Sequence, residues 1–424
     1  MKKLSLSIIA AATAMCCAAA ESHADSIPER AVIVSGDASH PQHIGNIATM
    51  YTHMNQAFED PAAPRFLFLD KKGTVALGIG GYLKATGMYD FDGAVPSDGF
   101  FTNKISVPPD PAMRQRFGAS ATHSTIFLKL VTHPTRVGRV IVYVQTNFTG
   151  NGDNYGLVLK QAYVSVGHVT AGKARSTFAD GAAMAPTVDD QGPAGQVSAK
   201  NMMVQYVTSD FKGLSGAVAV ELPSASYTVG NNAKAIAQRF PDIPAYVQYA
   251  WDKGDSHVRL SGIFRRLSYR DLQSQANHFG TGWGVQLSTV TDIYGGLKFF
   301  GHYTYGRGIS SYINDLDGGG FDLIPDGSDG KLKAPGAAGL TAGLQYNFSD
   351  RFFMTGSYSR AQLYDTAGMS ADTYRYGQYI TANAFYNVWG DLRLGLEYIH
   401  GTRKDISGQS GKANRVEAMV QYSF

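Results

Sequence analysis

Ten basic residues, Lys84, Arg114, Arg116, Lys160, Lys173, Arg175, Arg259, Arg265, Arg393 and Arg415, make up the inward set when lipid-facing positions are assigned by parity along the chain. Only four acids, Asp90, Glu221, Glu397 and Glu417, fall on the same side. Such faces, if they line a confined aqueous passage, would concentrate anions in it. Arginine adds geometry, because its planar fork matches a carboxylate through two parallel hydrogen bonds. Arg114, Arg116, Lys173 and Arg175 lie on successive early stretches and form the leading candidate for an anion-binding station. Any one of them could equally hold the passage in shape by pairing with an inward acid or a loop carboxylate.

Between Phe178 and Lys200, Asp180, Asp189 and Asp190 are interspersed with Gly181, Gly192 and Gly195. A loop of this kind folded across the passage would set acids against the basic wall and create a transverse field. An ordinary solvated surface loop is the alternative. The stretch from Gly308 to Gly336 carries Asp315, Asp317, Asp322, Asp326 and Asp329, which could attract divalent ions near lipopolysaccharide. Their spacing does not match an EF-hand, and a solvated acidic loop is the plainer reading.

The chemistry on offer is binding rather than bond making. H-E-x-x-H, G-x-S-x-G and G-x-x-x-x-G-K-[ST] are all absent, and the 11 histidines show no metal-ligand spacing with a second His or Cys. His302 reads as a passage-lining side chain rather than a base. No enzymatic activity, cofactor or metal is expected. Formal net charge is +3, and no Lys/Arg run is interleaved with aromatics, so nucleic acid is not an expected partner.

The elements that position these residues are strands. From about residue 75 onward, segments of nine to fourteen residues alternate between apolar and small or polar positions. Leu340, Ala342, Leu344, Tyr346 and Phe348 oppose Thr341, Gly343, Gln345 and Asn347. Arg259 and Arg265 oppose Val258, Leu260 and Phe264, and Arg393 opposes Leu392, Leu394 and Leu396. An Arg on a lipid face at mid-bilayer costs about 2 to 4 kcal/mol, so the charged side must face water.

Sixteen such segments can be counted, joined by connections that alternate in length. Asp92 to Met113, Pro223 to Ile243 and Gly308 to Gly336 are long, whereas Gly167 to His168, Ser209 to Gly213 and Trp389 to Gly390 are short. A soluble sandwich has no reason to keep that alternation, and an outer-membrane barrel with tight periplasmic turns and long external loops does. The expected fold is all-β, a 16-stranded antiparallel transmembrane up-and-down barrel over residues 73–424, wide enough for an aqueous channel. One missed hairpin in the 308 to 336 loop would make it an 18-stranded substrate-specific channel, and an adhesin or barrel enzyme would share the architecture.

Residues 1–24 read as a signal peptide, with Lys2 and Lys3 before an apolar run and small residues suited to cleavage after Ala20 or, preferably, Ala24. Either cut removes Cys16 and Cys17, whose surroundings do not favour lipid attachment. No apolar run of roughly 18 residues follows, so a helical span is not expected. Residues 25–72 form a periplasmic segment in which Ile44, Ile47, Tyr51, Met54 and Phe58 have the spacing of a short coiled-coil seam, or of an amphipathic helix docked on the barrel. The chain ends on Tyr422-Ser423-Phe424, similar to the terminal signal by which the barrel assembly machinery recognises outer-membrane proteins. Localisation in the outer membrane of a Gram-negative bacterium follows, with lipid and lipopolysaccharide as surroundings.

Several strings carry a family resemblance: Gly80-Gly81-Tyr82-Leu83-Lys84-Ala85, Met88-Tyr89-Asp90-Phe91, Arg114-Gln115-Arg116-Phe117-Gly118, Lys160-Gln161-Ala162-Tyr163-Val164-Ser165 and Ser176-Thr177-Phe178-Ala179-Asp180. Together with Ala171-Gly172-Lys173 and Gly192-Pro193 they resemble the DcaP-like porins, closely from about 75 to 208 and in architecture thereafter. The resemblance implies a homotrimer of 16-stranded porins that pass small organic anions, dicarboxylates in particular. It also implies pore-lining roles for Arg114, Arg116, Lys160 and Lys173. An N-terminal coiled coil precedes the barrel in that family, and the segment from Ile44 to Phe58 looks like a shortened counterpart.

Overall fold

The computed structural model describes residues 32–34, 41–51, 56–150, 155–327 and 330–424. The expected signal peptide with Cys16 and Cys17, and the side chains of Met54 and Asp329, lie outside the described residues.

Alternation has become sixteen staves: β1 (Val75–Asp92), β2 (Arg114–Ser120 continued by Thr125–Thr132), β3 (Val140–Gly150), β4 (Gly156–Val166), β5 (Val169–Arg175), β6 (Lys200–Val207), β7 (Leu214–Glu221) and β8 (Ile243–Trp251), followed by β9 (Ser256–Asp271), β10 (Ala276–Tyr294), β11 (Leu297–Arg307), β12 (Gly336–Asn347), β13 (Phe352–Tyr364), β14 (Tyr374–Trp389), β15 (Leu392–Asp405) and β16 (Ser410–Ser423). Each pairs antiparallel with its neighbours in sequence. β16 returns to β1, from Asp92 opposite Asn414 to Tyr82 opposite Ser423. The last residue completes the seam: Gly81 N donates to Phe424 O at 2.9 Å, and Phe424 N to Gly81 O at 3.0 Å. Closure leaves the staves no free edge, as a bilayer requires. The barrel has 16 staves, and the loop between β11 and β12 contributes only the two-residue strands Ile324–Pro325 and Leu332–Lys333, which excludes the 18-stranded alternative.

Sidedness is inverted relative to a soluble protein. Leu260, Leu287 and Leu396 are exposed at 59%, 54% and 56%, whereas Thr341, Ser359 and Glu397 are buried. Apolar side chains face lipid and polar ones face the lumen. No helix among the described residues is long and apolar enough to cross a membrane.

At the periplasmic end, helix α1 (Pro41–Met50) docks on the barrel. Ile47 and Met50 pack with Leu67, Leu69, Ala76 and Val131, and Lys129 Nζ donates to the carbonyls of Thr49 and Met50 at the helix C-terminus. Of the two readings of this segment, the structure realises docking. Tyr51 packs with the same cluster, and Phe58 has left the helix to lie against β13 and β14.

The external loops fold into the lumen and form a core of their own. Phe100 and Ile105 after β1, Phe178 and Val197 after β5, and Ile309 and Ile313 after β11 pack with Ala337, Ala361, Tyr379, Ile399 and Ala413 of the wall. The wall makes room by carrying small residues on the inner faces of β12 to β16. A methyl group on Gly395 or Gly401 would collide with Val188 or Phe100. These loops occupy the lumen against β12 to β16.

Arg265 ties these loops to the wall. Fully buried, it pairs with Asp242 at 3.0 Å and Asp322 at 3.1 Å, and donates to the carbonyls of Gly308 and Ser224, each at 2.6 Å. Removing one partner of a buried ion pair costs about 3 to 5 kcal/mol because the others stay desolvated and unpaired. Arg265→Met should therefore release the loops after β7 and β11 while the barrel still closes. Limited proteolysis would then cut within 222–242 and 308–335, with heat-modifiable gel mobility retained; unchanged protease resistance would contradict this role.

Candidate functional site

The loop from Ser176 to Ala199 crosses the lumen, held at each step by wall residues. Asp180 accepts hydrogen bonds from His257 Nε2 at 2.7 Å and Ser288 Oγ at 2.6 Å, with Arg259 Nη1 3.6 Å away. Burial alone would raise its pKa, but the Arg259 charge and the His257 and Ser288 bonds hold it well below the usual range. The backbone N–H groups of Val188 and Asp189 donate to Glu397. Asp190 pairs with Lys84 at 2.6 Å, beside His123 at 3.7 Å. On the return, Gly195 lies backbone to backbone on Gly339 and accepts from His302 Nε2 at 3.1 Å.

The expected inward folding of this loop is observed, with its acids differently employed. Asp180 and Asp189 are buried anchors rather than charges facing an opening, because a loop carried through the bore must neutralise what it buries. Asp189 accepts from Phe100 N at 3.0 Å and Tyr379 Oη at 3.0 Å. The 308 to 336 acids are dispersed in the same way: Asp322 pairs with Arg265, Asp326 with Lys333 at 3.3 Å, and Asp315 accepts from Thr102 N at 2.7 Å. No group of side chains suited to a metal ion occurs among the described residues.

The basic residues divide by what the loops do to them. Arg415 is fully buried, paired with Asp90 at 2.6 Å and Glu417 at 3.1 Å, and donates to the carbonyls of Val95, Ser97 and Asp98. Arg259 spends its guanidinium on Gln248, the Ala179 carbonyl and the Tyr246 ring. Arg265, Arg415 and Arg259 are therefore loop anchors and not pore lining. Arg393 lies 5.0 Å over the Phe58 ring and donates to Asn387.

The expected cluster of Arg114, Arg116, Lys173 and Arg175 is not assembled. Arg114 sits at the exposed external end of β2, 3.7 Å from Asp92. Arg116 is inward, opposite Asp90, and donates to the Val95 carbonyl. Lys173 lies on the outer face: it stands opposite Ala162 and Met202, Met202 is 52% exposed, and its Nζ donates to the Leu159 carbonyl. Lys173 thus keeps step with the outward Val169 and Ala171, and it is Arg175, two residues on, that departs from the alternation and turns inward toward Glu59 and Asp60.

Lys160 and Lys200 remain. Lys160 is the extra residue of a bulge, since Gln145 pairs with Gln161 and Thr146 with Leu159, and a bulge re-aims its side chain. Lys200 opens β6 directly opposite Arg175. Both sit in the electrostatic range of Glu59 and Asp60, and Lys200 also in that of Arg175. Neither ammonium has a hydrogen-bond or ion-pair partner among the described residues. The sequence reading missed Lys200, Glu59 and Asp60. The register partner of Arg175 would have pointed to Lys200; nothing local announces the two acids.

A model of the DcaP outer membrane protein family matches residues 73–304, more than half of the chain. No curated protein matches it. Among solved structures, the outer membrane channel DcaP of Acinetobacter baumannii superposes with a TM-score of 0.72 at 21% identity, covering 84% of this chain and 99% of that one. The anion-selective porin from Comamonas acidovorans gives 0.52 at 12% identity, covering 82% and 100%. OmpT of Vibrio cholerae in its trimer form gives 0.52 at 12%, covering 83% and 100%. At these identities the three structural likenesses speak for the fold.

Two outcomes follow for the crossing loop. A Cβ on Gly195 would stand 2.3 Å from the Arg360 carbonyl oxygen and 2.7 Å from Leu340 N, so Gly195→Ala must lift the loop from β12 and β13. Single-channel conductance in planar bilayers should rise, and an unchanged value would show that the loop does not restrict the bore. Burial raises Asp189 to about 6 and Asp315 to about 7, against the hydrogen bonds they accept. A carboxyl with a raised folded pKa stabilises the docked state fully below its ordinary pKa and loses that contribution as pH rises through the folded value. Loops should thus be docked more tightly at pH 5 than at pH 8, seen as lower conductance at pH 5, and Asp315→Asn should flatten the difference.

Proposed function

The chain belongs to the DcaP outer membrane protein family and is an outer-membrane channel, and from that premise we propose that its passive pore favours small organic anions, dicarboxylates among them. One observation carries the proposal: after the loops have consumed most lumen cations, Lys160 on β4 and Lys200 on β6, on either side of Arg175, have no partner among the described residues. Three cations on adjacent staves, in a confined passage, attract anions and offer two carboxylates separate partners. The loop acids work in the same direction, since burial raises the pKa of Asp189 and Asp315 and so makes their negative charge costlier to hold.

Assembly is proposed on similar grounds. The trimer form of a porin with the same fold, and a lipid-like outer face on the early staves, where Leu83 is 60% and Leu128 43% exposed, support a homotrimer surrounded by lipid and lipopolysaccharide. Phe424, paired with Gly81 at the closing seam, is the residue through which the barrel assembly machinery would recognise the chain.

Liposome swelling tests the transport reading. Succinate should enter faster than a cation of similar size through the wild type, and Lys160→Gln with Lys200→Gln should slow succinate about tenfold while leaving a neutral pentose unaffected. Equal entry of succinate and the cation, or an unaltered succinate rate in the double variant, would contradict it.

A further inference from the structure

Residues 56–65 cross the periplasmic mouth as a strap fastened at both ends. At one end Phe58 packs edge-on against Phe353 and Phe385, ring centroids 6.2 and 5.1 Å away. At the other, Pro64 presses on β1 where Gly78 and Gly80 have no side chain to meet it, and Arg65 pairs with Asp391 at 2.6 Å. The Tyr82 hydroxyl also donates to the Glu59 carbonyl at 2.9 Å. Asp60 Oδ2 closes a turn within the strap by accepting from Ala57 N at 3.0 Å, while the Glu59 carboxylate takes part in none of these fastenings.

Those two carboxylates point at the lumen cations. Asp60 Oδ2 is 2.8 Å from Arg175 Nη2, and Glu59 Oε1 is 3.4 Å from the same nitrogen. Lys160 and Lys200 lie in the field of both. Burial works to raise the Asp60 pKa, but the Arg175 and Lys200 charges hold it below the ordinary value, so it stays ionised there. Glu59, 40% exposed and at the longer distance, is the weaker of the two contacts.

The geometry points to Glu59 and Asp60 as a tethered occupant of an anion site built by Arg175, Lys160 and Lys200. Two carboxylates of the chain itself sit where the two carboxylates of an organic dianion would bind, and the solute enters by displacing them. This rests on the reading of the pore as an anion passage, and it deepens that reading by specifying the site and the competition. A tethered group competes at an effective concentration in the millimolar range or above, so a dianion must reach that range to pass the strap while monovalent anions slip by. The strap then sets the concentration at which the channel responds to its solute.

The test is block of chloride current by succinate across the full-length channel in planar bilayers. In Glu59→Gln with Asp60→Asn the half-blocking succinate concentration should fall about tenfold, with a smaller fall in Glu59→Gln alone. Adding Lys200→Gln to the double variant should return it toward the wild-type value. Heat-modifiable mobility confirms closure of each barrel, and Glu59→Gln, altering only the more exposed contact, secures the test if the double variant fails to close. An unchanged or increased half-blocking concentration in both overturns the proposal. Its failure is separable from that of the transport reading: swelling of wild-type liposomes decides the latter, and the ratio of variant to wild type decides the former.

Discussion

The ladder between β1 and β16 is the constraint from which the remaining structure follows. In lipid no water satisfies an unpaired strand edge, so the chain must close, and it does so through the last residue, Phe424, bonded to Gly81. Closure of sixteen strands fixes a bore too wide to be filled by wall side chains alone. The lumen must then be filled by water or by loops. In this chain the loops after β1, β5 and β11 enter it against the inner faces of β12 to β16.

Loops brought into the bore carry their own polar groups out of water, and the wall compensates each of them. Arg265, Arg259 and Arg415 act in this way, as does Glu397, which accepts the backbone N–H groups of Val188 and Asp189. Small residues on β12 to β16 allow the close approach. A cationic inner surface is thus largely structural, and the proposed selectivity rests on Lys160 and Lys200, which have no partner among the described residues, and on an Arg175 shared with the strap.

Much of the fold was legible because a bilayer outside and water inside impose a strong period of two. The alternation around Leu340 to Tyr346 falls on β12, Gly336–Asn347, while β10, Ala276–Tyr294, runs to 19 residues, beyond the expected nine to fourteen. The N-terminal segment was ambiguous because apolar spacing specifies a sticky face and not its partner; Ile47 and Met50 found Leu67 and Val131. At the site, parity indicates which way a side chain points but not what a folded loop brings to it. Arg415 was therefore read as inward without the Asp90 and loop carbonyls that bury it, and Lys173, in step with the outward Val169 and Ala171, belonged to the opposite face from the one expected. Glycine and alanine at inner positions of the late staves were the readable sign that loops would dock there.

The central claim is that leftover cations on β4 to β6 set the sign of the pore's selectivity. Reversal potential across a planar bilayer under a potassium chloride gradient measures that sign directly. The account predicts an anion-selective potential in the wild type that collapses toward zero in Lys160→Gln with Lys200→Gln. A cation-selective wild type, or a potential indifferent to both lysines, would contradict it.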